Sequence, residues 1–157
     1  MSPPSFIDHF KNEFFCILEE TFEHVHGKYL DRNTSLFETL ANITAEEAMR
    51  PITARSSCIA AQVYHIRFYL DVLCDAIEGK EIGKLDWQAT WRITTVSDDE
   101  WEQLRQKLWH AYERVQTVLH SVETWQGEEE IGGALAILAH TAYHLGEMRM
   151  ALGVIQP

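Results

Sequence analysis

Hydrophobic residues recur along most of this chain at three- and four-residue steps, the spacing that gathers side chains on one face of an α-helix. Between Pro4 and Gly27 the positions are Phe6, Phe10, Phe14, Ile17, Phe22 and Val25, which predicts an amphipathic helix of about six turns. Asp8, Lys11, Glu19, Glu20 and Glu23 fall on its polar face. His24 and His26 lie near its end, where an imidazolium sits well against the helix dipole. From Asp31 to Arg55 the pattern loosens around Asn33, Asn42 and Pro51. Within it, Thr44-Ala45-Glu46-Glu47 has the form of a capping box for a short helix ending before Pro51. A second long helix, capped by Ser56 or Ser57 and ended by Gly79, carries Ile59, Val63, Ile66, Leu70, Leu73 and Ile77 on its seam. Residues 80–97 form a long connection bearing Trp87, Trp91 and Arg92, either aromatic plugs over a bundle end or substrate contacts.

Ser97-Asp98-Asp99-Glu100 is a second capping box with an acidic first turn. It opens a third helix with Trp101, Leu104, Leu108, Ala111, Val115, Val118 and Val122 on its seam, and with Glu102, Arg105, Glu113 and Arg114 on a solvated face. After Gly132-Gly133 the last helix runs from about Ala134 to Leu152 and is apolar almost all round. Four long helical patterns and no convincing strand predict an all-α fold: one domain over residues 1–157, built as a four-helix bundle. The apolar circumference of the last helix exceeds what one bundle core readily covers, so a homodimer is expected.

Composition narrows the partners. Hydrophobic residues make up 46% of 157 residues, enough to fill the core of one domain. The formal net charge of -11 and the lack of a Lys/Arg cluster argue against nucleic acid or an anionic membrane as partners. Cys16, Cys58 and Cys74 are widely spaced and form no C-x-x-C pair, so neither a disulfide framework nor a zinc knuckle is implied. Met1-Ser2-Pro3-Pro4-Ser5 leads into an amphipathic stretch containing acidic residues, and no run approaches the roughly 20 apolar residues of a membrane span. A soluble cytoplasmic protein is expected.

The candidate chemistry lies in the last helix. His140 and His144, four residues apart, share one stripe and can hold one metal ion between them. Two imidazoles alone bind weakly, so a third ligand must come from elsewhere. His65, on the second helix beside Cys58, Ala61, Tyr69 and Val72, points into or along the core and is the candidate. Cys58 is read as a small core residue. His110 and His120 fall outside any paired spacing. A di-iron bundle would need two Glu-x-x-His motifs, and Glu23-x-x-His26 stands alone; the H-E-x-x-H zinc-protease signature is absent.

Three phrases together carry a family resemblance: a single His within "SSCIAAQVYHIRFYL", the linker "LDWQATWRITTVSDDEWEQL", and H-x-x-x-H followed by Gly in the last helix. With "TSLFETLANITAEEAMRPITARSS" upstream, residues 30 to 152 resemble the DinB superfamily, also called DinB/YfiT-like. The resemblance implies an up-down-down-up four-helix bundle, often dimeric, with a divalent metal, nickel or zinc, on three histidines. By motif position these are His65, His140 and His144. One position departs: the family often has Gln where this chain has Glu147.

Glu147 lies on the stripe of His140 and His144. It can accept an imidazole N–H, bind the metal as a fourth ligand, serve as a catalytic base, or sit exposed at the cavity rim. Three neutral imidazoles leave at least one coordination position open, as in a catalytic site. The resemblance implies that some members are S-transferases or isomerases for low-molecular-weight thiols such as bacillithiol, mycothiol or glutathione. The leading expectation is a metal-dependent thiol S-transferase acting on a small-molecule thiol and an electrophilic substrate. The alternatives are hydrolysis through metal-bound hydroxide and a metal-binding stress protein without catalysis. Pocket access separates them: an enzyme needs an open metal face beside a cavity, whereas a sensor or structural site can be sealed.

Overall fold

The computed structural model describes residues 4–156; Met1, Ser2 and Pro3, part of the N-terminal stretch read for targeting signals, and Pro157 lie outside the described residues. Among the described residues there are six α-helices and no strand, so the fold is all-α. They are α1 (Phe6–Phe22), α2 (Leu36–Leu40), α3 (Ala45–Ala48), α4 (Ile59–Ile77), α5 (Asp98–Ser121) and α6 (Glu128–Ile155). The chain divides into two compact units, one up to Asn42 and one from Ile43 onward. No helix is long and apolar enough to cross a membrane among these residues.

In the first unit, α1 starts at a capping box. The Ser5 hydroxyl accepts the Asp8 N–H and the Asp8 carboxylate accepts the Ser5 N–H. The helix stops at Phe22 rather than near Gly27, and the cause is Glu20. Placed on the polar face by its spacing, Glu20 is fully buried. Its carboxylate accepts the backbone N–H groups of His26, Lys28, Tyr29 and Leu30 at 2.7–2.8 Å. Those bonds draw the following segment into a turn, with Gly27 at φ 78°. Burial pushes the carboxyl upward, but the four donors outweigh it and bring the pKa down to about 2. Phe14, Leu18 and Phe22 form the buried face, whereas Phe6, expected on the seam, is exposed. Phe22 meets Phe37 of α2 with ring centroids 6.1 Å apart.

In the second unit, α4 packs against both α5 and α6. Ile59, Val63, Ile66 and Leu70 are fully buried, as the seam predicts, each such side chain contributing about 1.5–3 kcal/mol. Gly79, at φ 71°, ends the helix. Its start differs from expectation: the N-cap is Cys58, which makes no side-chain cap bond. Ser56 is engaged with Thr53, donating its hydroxyl to the Thr53 carbonyl and accepting the Thr53 N–H.

The capping boxes at Thr44 and Ser97 form as expected. The seam of α5 is buried from Trp101 to Val118, and Trp101 Nε1 donates to the Ile43 carbonyl at 2.7 Å. Arg114, expected on a solvated face, instead reaches Asp75 and Glu78 of α4. The connection before α5 folds into a short 3-10 turn, Trp87–Trp91, packed against α4. Helix α6 begins six residues earlier than Ala134. Glu128, Glu129 and Glu130 occupy its first turn, where their charge suits the dipole. Gly133 lies inside it because a Cβ there would stand 2.9 Å from Ile77 Cγ1. The glycine lets α6 approach α4 closely.

Candidate metal centre

The side chains of α4 and α6 bring His65, His140 and His144 together. One ring nitrogen from each lies within 4.8 Å of the others. His65 Nε2 and His140 Nε2 are 3.1 Å apart, and the His140 and His144 ring centroids are 4.5 Å apart. Nitrogens bound tetrahedrally to one zinc at about 2.0–2.1 Å would lie about 3.3 Å from each other. The i, i+4 pair therefore converges with a residue 75 positions away in the chain.

Neighbouring groups set the protons on two of the rings. The Thr90 hydroxyl donates to the Trp87 carbonyl at 2.6 Å, so its oxygen is left to accept from His65 Nδ1, 2.8 Å away. That holds His65 Nδ1 protonated and leaves the Nε2 lone pair facing His140. The Glu147 carboxylate stands 2.8 Å from His144 Nδ1 and accepts its N–H in the same way, freeing His144 Nε2. Two imidazoles oriented by hydrogen bonds at the far nitrogen are what a histidine metal site requires. His140 differs. Its Nδ1 is buried without a hydrogen-bond partner, and its ring is held by stacking on Tyr69, centroids 3.7 Å apart and planes 14° apart.

Electrostatics favour neutral ligands. Burial, followed by the His144 charge, brings His65 down to about 4. Burial and the two neighbouring histidines bring His140 down to about 3. Burial also lowers His144, a shift that the Glu147 carboxylate opposes. All three rings are thus uncharged at neutral pH, with lone pairs available. The three imidazole donors could hold a divalent metal ion.

The aromatic turn is part of the site. Trp91 stacks on His65, centroids 4.1 Å apart, and Trp87 meets the same ring edge-on. Beside His144 lies a cavity of about 540 Å³, whose walls also include Trp91, Tyr143, Glu147, Arg55 and Gln62.

No protein-family model, curated protein or solved structure matches the chain.

The other chemistry-bearing candidates lie elsewhere. His24, His26, His110 and His120 are exposed, and Cys58 is buried with its Sγ donating to the Ile93 carbonyl. Spacing pointed to the three histidines and placed Glu147 beside them. It did not find Thr90, whose role depends on a 3-10 turn that no hydrophobic period marks. Nor did it find Tyr69 as the ring on which His140 rests.

Proposed function

We propose that this is a DinB-like metal-dependent enzyme, most simply a thiol S-transferase, with nickel or zinc on His65, His140 and His144. Its helices would form the up-down-down-up bundle of that superfamily. The observation that carries the reading is the cavity of about 540 Å³ against His144, Glu147 and Trp91. That volume suits a small organic ligand, and a centre open to such a space is what turnover requires. A divalent ion held there supplies a Lewis acid that lowers the pKa of a bound thiol or water.

The chain's residues have separate tasks in this reading. Thr90 and Glu147 orient His65 and His144, so that neutral nitrogens face the centre. Tyr69 and Trp91 fix the rings and restrict water. Glu147, engaged with His144 Nδ1, acts as a positioning residue rather than as a fourth ligand. Leu135, Tyr143, Met150 and Val154 are exposed along α6, a stripe that a second copy of the chain would cover. Sedimentation at micromolar concentration should then give a dimer, and a monomer would remove that part of the proposal.

The test is to load the protein with nickel or zinc and follow loss of small thiols in the presence of aryl halides and epoxides. Conjugation above the uncatalysed rate, dependent on metal and lost in His65→Ala, is the expected result. No conjugation with any pair, accompanied by metal-dependent ester hydrolysis, would replace the transferase by a hydrolase. Neither activity in a metal-loaded protein would leave a metal-binding protein without catalysis.

A further inference from the structure

The cavity beside the histidines has a second wall that the metal chemistry does not use. Arg55, in the segment leading into α4, lines it. The guanidinium of this exposed residue makes no hydrogen bond or ion pair among the described residues, although the chain carries 24 Asp and Glu against 13 Lys and Arg. By contrast, Arg67, Arg92 and Arg114 each pair with carboxylates. A guanidinium without a protein partner that lines a cavity is available to a ligand.

Two further features lie on the same wall. Ser56 and Ser57 line the cavity just before the start of α4. That 19-residue helix has no side-chain cap on its N-terminal N–H groups, so the partial positive charge of its end is not locally offset. Gln62, one turn into α4, also lines the cavity. It is 6% exposed, and its Oε1 is buried with no hydrogen-bond partner. An orphaned buried acceptor carries a desolvation cost that a donor on a ligand would remove. Glu147 lines the same cavity and is already engaged with His144. The wall that includes Arg55 is the one where an anion is favoured.

We propose that this wall is an oxyanion subsite: a carboxylate or phosphate-like group of the ligand docks on Arg55 near the uncapped start of α4, and an N–H or O–H donor on that ligand bonds to Gln62 Oε1. Bidentate guanidinium contacts suit both kinds of oxyanion. The proposal rests on the enzyme reading and deepens it by giving the small-molecule substrate a negative end. It narrows the substrate class, thiol or electrophile, to acidic molecules that also carry an N–H or O–H donor.

The test uses three matched probes on the full chain, with and without zinc: N-acetylglycine, its neutral primary amide, and acetamidomethylphosphonate. Binding is read from titration of ¹⁵N-labelled protein, following the Arg55 Nε–H and Gln62 side-chain amide signals. The expected result is that at least one anion binds about tenfold or more tighter than the neutral amide. The tighter anion identifies the ligand's acidic group. Arg55→Met should abolish the preference for charge while leaving neutral-probe binding in place. Gln62→Leu should weaken all three probes and leave the charge preference intact. Because Arg55 is exposed, Arg55→Met is expected to fold like the parent.

Equal binding of charged and neutral probes, or a charge preference that survives Arg55→Met, would overturn the subsite. The zinc-free arm separates the two ideas. Absence of a charge preference in the parent protein with metal uptake intact sinks the subsite alone, whereas a charge preference in parent protein that takes up no metal sinks the metal reading alone.

Discussion

Replacing Thr90 by Val tests whether the turn over the site positions a metal ligand. Thr90 is 1% exposed, and its hydroxyl joins the Trp87 carbonyl at 2.6 Å to His65 Nδ1 at 2.8 Å. Valine keeps the shape and removes both bonds. Left without its acceptor, the His65 ring can rotate or change tautomer, presenting a protonated nitrogen to the centre. Losing such an outer partner typically costs 10- to 100-fold in metal affinity, about 1.4–2.7 kcal/mol. The metal-free protein should lose about 1–3 kcal/mol of stability from the orphaned buried groups. Zinc affinity would be measured by competition with a chromophoric chelator, and stability by urea unfolding of the metal-free protein. Thr90→Ser, which retains the hydroxyl, should recover most of both. If Thr90→Val lowers stability but leaves zinc affinity within about twofold, Thr90 only braces the turn and His65 is not oriented by it.

Other outcomes follow from the same geometry. The three histidines are held neutral in the folded state, His65 at about 4 and His140 at about 3. Above the unfolded histidine value of about 6.5 they contribute no pH dependence. As pH falls below it, the unfolded chain takes up protons that the folded chain refuses. The metal-free protein should lose stability between pH 6.5 and 5, by up to about 1.4 kcal/mol per unit for each of His65 and His140. Urea midpoints that stay flat over that window would show the rings to be more accessible than their packing implies. Glu20→Gln removes the charge from a carboxylate serving four backbone donors and should destabilise the chain by about 2–3 kcal/mol in urea unfolding. The depressed Glu20 carboxyl supports stability above pH 4.5, and that support is lost as pH falls toward 2. An unchanged midpoint in Glu20→Gln at pH 7 would mean that water replaces those bonds at no cost.

How far the sequence discloses the molecule depends on whether a feature is carried by periodicity. The seam of α5 and the first four seam positions of α4, Ile59 to Leu70, are buried as expected, whereas Leu73 and Ile77 are only half-buried and Val72 and Cys74 take their place in the core; the two capping boxes are local chemistry. His140 and His144 are legible from their i, i+4 spacing, and His65 because that pair needs a third ligand and His65 lies beside the seam of the other helix. Glu20 was illegible: a carboxylate bound by backbone amides of a later turn looks, in sequence, like any polar-face glutamate. The start of α6 is hidden by Gly132-Gly133, which reads as a break, whereas both lie inside the helix and Gly133 provides room for Ile77. Thr90, Arg55 and Gln62 act through loops and orphaned atoms, properties of the folded arrangement that no helical spacing encodes.

The central claim is most directly tested by elemental analysis of untagged protein purified without chelator, beside a variant carrying His65→Ala, His140→Ala and His144→Ala. The expected result is about one nickel or zinc per chain, absent from a variant that retains its helical circular dichroism. Protein that contains no metal, and takes up none when dialysed against nickel or zinc, would contradict it and return the three histidines to the core.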